Sequence, residues 1–228
     1  MPTTTIPWGD GSGDNLYLTY PSASGNQTIS VTSDANGGAA RSKVVTFSAS
    51  GVPSVNLTIN QAGVPQQHTI TLNPSGYIPK SEDGEWYSLV NASNAYNDEE
   101  NTTYAQLRLT RGEAHALTWC YFTFDTSSIP AGATINSVEC KAKVYFNTSK
   151  GTRIDNRDVQ MFSGTTAKGA SQEATTTARV ITFNDATWSR NEIDDVRIRF
   201  YGVRGTTNLT TDYYFRFYGA TLTITYTI

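Results

Sequence analysis

The sequence predicts an all-β protein built as two β-sandwich units in tandem. Three observations carry that expectation. Thr occurs 34 times against 10 Leu, with 13 Tyr and 9 Phe besides, a composition that favours strands over helices. Short runs of alternating apolar and polar residues recur along the chain, separated by clusters of Gly, Ser, Asn and Pro, the punctuation of a sandwich. The length, 228 residues, suits one or two ordinary domains and is too great to need metal or disulfide staples.

Residues 1–12 read as a Gly-, Pro- and Thr-rich arm, flexible or docked on a neighbour. The first ordered unit is expected over 13–64. Its strands are marked by Leu16, Leu18 and Tyr20; by Ile29 and Val31; by Val45 and Phe47; and by Val55, Leu57 and Ile59. So small a unit is marginal alone, and it is expected to borrow a strand such as His68–Leu72 or to lean on its neighbour. Gly63-Val64-Pro65 and Asn73-Pro74-Ser75-Gly76 punctuate a linker over 65–76.

The second unit is expected over 77–228. Its strands read as Trp86–Val90, Ala105–Leu109, Thr118–Phe124, Asn136–Phe146, Asp158–Phe162, Ala178–Phe183, Asp195–Tyr201, Tyr213–Tyr218 and Thr221–Thr227. That number of strands fits a jelly roll or a related two-sheet sandwich. The last alternates cleanly, with Leu222, Ile224, Tyr226 and Ile228 on one face and Thr on the other. Its neighbour puts Phe215 and Phe217 inward and Tyr214, Arg216 and Tyr218 outward. Ser189-Arg190-Asn191-Glu192 is a capping-box pattern and predicts one short helical turn. Cys120 and Cys140 fall in phase with apolar neighbours, as two buried thiols or as a disulfide between facing strands.

Two segments resemble known families. TSDANGGAARSKVVTFSA (32–49) with LTINQAG (57–63) resembles the second half of BACON domains, immunoglobulin-like sandwiches of gut bacteria and of gut bacteriophage structural proteins. The match rests on the Asn36-to-Arg41 turn, the strand at 43–49 and Gln61-Ala62-Gly63. The mid-domain segment of that family and its tryptophan are missing here. YFTFDTSSIPAGATINSVECKAKVYF (121–146) is similar to the central motif of DNRLRE-type jelly-roll domains. There Asp125, Ser127 and Ser128 start a turn, Ile129 plugs the sandwich end and Pro130 fixes φ. FRFYGATLTITYT (215–227) resembles the final hairpin of phage virion proteins of this architecture. Together the resemblances imply a small immunoglobulin-like β-sandwich followed by a jelly-roll β-sandwich. They also imply a place on a phage particle.

Composition narrows the function. The net charge is −3 and charged residues are 16% of the chain, without the concentrated positive face of a nucleic-acid binder. No run of 18 apolar residues is present to cross a membrane as a helix. The N-terminal MPTTTIPWGDGSGDN lacks the basic start and apolar stretch of a secretory signal, while the Thr-, Ser- and Asn-rich surface looks extracellular. Assembly in a host cytoplasm and release within a virion reconcile the two; a cloned fragment with an added Met1 is the other reading.

No enzyme is expected. His68 and His115 stand without a nucleophile motif, and no Gly-rich loop opens a helix. Trp86, Tyr87, Trp188, Tyr213 and Tyr214 are candidates to stack on sugar rings, with core packing as the alternative for each. Arg197, Arg199, Arg216, Tyr214 and Tyr218 are expected on one solvent face, a composition typical of subunit contacts. The loop holding Asp98, Glu99 and Glu100 gathers oxygen ligands of the kind Ca2+ takes, or is a solvated turn; no other cofactor is suggested.

The expected role is a bacteriophage virion surface protein, of capsid-decoration or head-fibre type. It would use its sandwiches for adhesion, with host or mucus glycans as ligands, other virion proteins as partners and a homo-oligomeric state in the particle. A tail-associated receptor-binding protein is one alternative. A carbohydrate-binding module of a secreted polysaccharide-degrading system is another.

Overall fold

The computed structural model describes residues 2–20, 28–79, 87–109, 117–149, 151–184, 186–207 and 210–228, with the backbone alone at 87 and 88. The chain divides into two compact units, Met1–Gln66 and Gln67–Ile228. Each is all-β and antiparallel.

In the smaller unit β1 (Thr3–Pro7) and β3 (Ser30–Ser33) flank β2 (Asn15–Thr19). β4 (Arg41–Ala49) and β5 (Val52–Gln61) form a hairpin. Leu16, Leu18, Val45 and Trp8 are buried between these pieces, with Ile6, Phe47 and Ile59 packed against them. The segment expected as an arm is therefore part of the fold. Thr3–Pro7 hydrogen-bonds along β2, and Trp8 fills the core. Its Thr-rich edge strand hides no apolar alternation because its first three side chains face solvent.

The residues that carry the BACON resemblance meet in space. Asn36 Oδ1 accepts the Gly38 N–H at 2.9 Å, and its Nδ2 donates to the Ala39 and Ala62 carbonyls at 2.8 and 3.0 Å. Arg41 Nε donates to Gln61 Oε1 at 2.8 Å. Gly63 packs so tightly on this turn that a Cβ there would lie 2.5 Å from the Ala40 nitrogen. Only glycine fits such a contact.

The larger unit is two facing sheets. One has the order β13 (Thr166–Glu173), β12 (Ile154–Ser163), β15 (Val196–Arg204), β10 (Leu117–Phe124), β7 (Pro74–Pro79). The other runs β14 (Arg179–Phe183), β11 (Thr134–Phe146), β16 (Tyr213–Thr227), β9 (Ala105–Leu109), β8 (Tyr87–Val90), with β6 (Gln67–Leu72) also on β16. Taking β9 to β16 as the eight successive strands of a double Greek key, this is jelly-roll order. The core between the sheets is aromatic: Phe200 lies 4.6 Å from Phe217 and 5.9 Å from Phe215, and Phe122 lies 4.5 Å from Phe217, centroid to centroid.

The expected linker over 65–76 is mostly strand, taken up by β6 and the start of β7, and three further features differ from expectation. His68–Leu72 does not complete the smaller unit; as β6 it pairs with β16, setting Ile70 opposite Ile224 and Leu72 opposite Leu222. This matches its Thr/Ile alternation to that of its partner. The C-terminal pair of strands is one strand, β16, because the chain at Tyr218-Gly219 makes a bulge against β11 and not a turn. And β13, TAKGASQE, is an edge strand with no buried residue, so its sequence carries no apolar rhythm.

The expected helical turn is α1 (Arg190–Ile193). The 125–130 turn also forms as read: Asp125 accepts the Ser127 N–H at 3.0 Å, and Ile129 is buried. Arg190 then clamps the turn by donating to the Pro130 carbonyl at 2.9 Å and the Ile129 carbonyl at 2.6 Å.

Candidate functional site

A polar cleft opens on the larger unit where two strands of unequal reach part company. β11 begins at Thr134, but its outer neighbour β14 pairs with it only over Val144 to Cys140 and ends at Phe183. The edge of β11 from Ile135 to Glu139 is left without a strand partner on that side. Beyond Phe183, residues Asn184, Ala186, Thr187 and Trp188 wall a cleft of about 430 Å3 against that edge. Asn136, Ser137, Glu139, Asn184 and Thr187 supply its polar groups, and Trp188 an aromatic wall.

Trp188 is held firmly. It is 8% exposed, and the Lys168 ammonium sits 5.1 Å from its ring centroid. Lys168 is fixed in turn by Glu192 at 2.8 Å. Glu192 also accepts the Ser189 N–H at 2.8 Å, closing the first turn of α1. The Lys168 ammonium first, and then the Ser189 N–H, bring the Glu192 carboxyl down to about 2.

The other candidate stacking residues are dispersed. Tyr213 is buried in the core at 3% exposure, because it is in phase with Phe215 and Phe217 on β16. Tyr214 faces outward on β16. Tyr87 lies on β8, and Trp86 lies outside the described residues, as does His115.

The outward Arg and Tyr residues fall on two faces, not one. Arg197 and Arg199 belong to β15 in one sheet; Tyr214, Arg216 and Tyr218 belong to β16 in the other. Facing sheets turn their outer sides in opposite directions. On the β15 face the Arg199 guanidinium lies 4.3 Å from the Phe162 ring and 4.8 Å from that of Tyr201, and Arg197 lies 5.5 Å from Tyr121. Tyr121 also meets Trp119 edge-on at 5.1 Å. On the β16 face Arg216 lies between Tyr104, at 4.5 Å, and Tyr145, at 5.3 Å, while Lys143 lies 5.1 Å from Tyr218. Such cation–aromatic contacts order long side chains at a surface. Trp119, Tyr121 and Phe162 went unnoticed in the sequence, although their phase against Phe122 and Met161 marks them as outward.

The acidic loop is structural. Along one edge of β16, β9 covers Tyr213–Phe217 and β6 covers Leu222–Thr227. The loop fills the gap between them. The Ala220 N–H donates to the Asn97 carbonyl at 2.9 Å, Asn101 Nδ2 donates to the Tyr218 carbonyl at 3.0 Å, and the Thr221 hydroxyl donates to Glu99. Asp98 Oδ1 accepts the Glu100 N–H at 3.1 Å. The Asp98 and Glu99 carboxylates thus serve separate bonds. Among the described residues no three His, Cys, Asp or Glu side chains gather as a metal site. Cys120 and Cys140 are free and buried. His68 stacks on Tyr226 at 5.4 Å.

No protein-family model matches this sequence, and no curated protein matches it. Among solved structures, one titled as infectious bursal disease virus Gt strain aligns at a TM-score of 0.32 and 12% identity, covering 94% of this chain and 47% of that one. One titled as the Gx strain of the same virus aligns at 0.26 and 15%, covering 93% and 42%. The chain spans less than half the length of either, and superpositions this loose transfer neither fold nor role.

Proposed function

We propose that this chain is a non-enzymatic surface protein of a bacteriophage virion, of capsid-decoration or head-fibre type, whose two β-sandwiches serve adhesion. The observation that carries the reading is the division of labour in the jelly roll. Its interior is filled by apolar and aromatic side chains, with Arg157 and Arg204 the buried charged groups among the described residues, while Arg199, Arg216 and Arg108 are held on its outer faces by rings and an ion pair. A catalyst needs titratable groups converging in a cleft; an adhesive module needs stiff, ordered surfaces. The resemblance of 121–146 and 215–227 to virion jelly rolls supports the setting, and repetition on a particle turns weak contacts into avidity.

The test is mass spectrometry of density-purified virions from the phage that encodes the chain, followed by gold-labelled antibody on intact particles. The chain should copurify at many copies per particle and be labelled on the head. Its absence from purified particles overturns the proposal.

A further inference from the structure

We propose that the cleft beside Trp188 binds one or two rings of an uncharged glycan, an inference that names a ligand class for the adhesive role above and rests on that reading.

Four observations converge. First, the volume of about 430 Å3 falls within the roughly 300–1,000 Å3 of small-molecule sites and suits a mono- or disaccharide. Second, one wall is an indole whose orientation is fixed in advance by Lys168 and α1. The indole is otherwise packed in the core at 8% exposure, so it offers a sugar C–H a small apolar contact, ordered in advance at little entropic cost, and not an open stacking platform.

Third, the polar groups are unspent. Among the described residues the side chains of Ser137, Asn184 and Thr187 make no hydrogen bond, and neither does the Trp188 indole N–H. Ser137, Asn184 and Thr187 are exposed. The strand edge from Ile135 to Glu139 adds backbone N–H and C=O groups that β14 does not take. Paired hydroxyls on a sugar ring need such interleaved donors and acceptors.

Fourth, the charges select against an acidic ligand. Lys168 is engaged by Glu192 at 2.8 Å, and the carboxylate at the rim, Glu139, lies 3.3 Å from Lys141. Among the described lining residues a uronic or sialic carboxylate entering here meets Glu139 and no cation; a hydroxyl meets an acceptor.

The experiment is saturation-transfer NMR with titration on the full chain, using maltose, cellobiose, lactose and N,N′-diacetylchitobiose, with sialyllactose as the charged comparison. At least one neutral disaccharide should bind saturably. Ser137→Trp, which fills the cleft from an exposed position, should weaken it at least tenfold, and Asn184→Ala at least threefold. Unchanged thermal unfolding checks that each variant is folded; should Ser137→Trp misfold, Asn184→Ala and Thr187→Ala decide. Absence of saturable binding by all four sugars overturns the proposal, as does binding that survives these variants or a preference for sialyllactose. None of these outcomes bears on whether the chain is found in virions, so the two proposals fail separately.

Discussion

Gly219 and Asp98 are in backbone contact: a Cβ on Gly219 would stand 2.1 Å from the Asp98 carbonyl oxygen. The Asn97 carbonyl would be nearly as close, at 2.4 Å, and Gly219 has a φ of 155°, a conformation that L side chains rarely adopt. The contact seats the 97–101 loop in the gap that β9 and β6 leave along β16. Gly219→Ala should therefore cost about 3 kcal/mol, combining backbone strain with loss of the loop's hydrogen bonds. Urea unfolding of the larger unit reads it. Gly132→Ala is the control, because a Cβ there meets nothing within 4 Å, and it should stay within about 0.5 kcal/mol. Equal effects of the two substitutions would refute the argument.

What the sequence disclosed follows from how far each feature reaches along the chain. Leu222, Ile224 and Tyr226 announce their own strand, since burial of one face imprints a period of two. By the same alternation Tyr213 belongs inside with Phe215, and its place in the core was legible. Residues Thr3–Pro7 and Thr166–Glu173 form edge strands that bury little, so no rhythm marks them. The separation of Arg199 from Arg216 was hidden for another reason: which sheet a strand joins depends on distant partners. The cleft was hidden likewise, since it arises from β14 stopping at Phe183 while β11 continues to Thr134. And nothing local in Asn97–Asn101 tells a calcium loop from a plug fitted to Gly219.

Arg41 organises the smaller unit. Its guanidinium lies 4.5 Å from the Trp8 ring centroid and pairs with Asp10 at 2.9 Å and Asp14 at 2.8 Å, while Nε holds Gln61. A lysine ammonium cannot stack on the ring and serve three acceptors in this planar fork. Arg41→Lys should lower the unfolding midpoint of this unit nearly as much as Arg41→Ala; a Lys variant as stable as the parent would sink the claim. The pH dependence has a definite sign. Bonds from the Ser12 hydroxyl and N–H, then from Arg41, hold the Asp10 carboxyl well below the usual range. Its contribution is present above the unfolded carboxyl value and is lost as the pH falls through the folded one. Asp10→Asn should flatten that acid limb.

Glu192 makes the corresponding prediction for the larger unit. Its carboxyl titrates at about 2 against an ordinary 4.5. A depressed folded value means that its stabilisation is complete above about pH 5 and disappears between there and pH 2. Across that window the urea midpoint of Glu192→Gln should fall less steeply than that of the parent. The same substitution frees Lys168 and loosens Trp188, so the indole fluorescence of the variant should be the more readily quenched by iodide. A parallel pH profile in the two proteins would show that the contact with Lys168 contributes nothing.

The two thiols provide a probe of how the jelly roll opens. Cys120 on β10 sits opposite Phe200 and Pro79, and Cys140 on β11 opposite Leu222 and Phe183, both at 0% exposure. Burial pushes both thiols far above their free value, so at pH 8 neither supplies an appreciable thiolate, the species that reacts. A disulfide reagent such as dithionitrobenzoate should label neither in the native protein within minutes and both at once in strong denaturant. Because each thiol lies on an inner strand of a different sheet with its side chain in the core, fraying of an outer strand does not by itself expose it. Labelling of the folded chain must then await opening of the core and should run at least about 10³-fold slower than in denaturant. Rapid native labelling of Cys140 alone would mean that the β14 edge beside the cleft opens independently, and the sheets would then not unfold as one body.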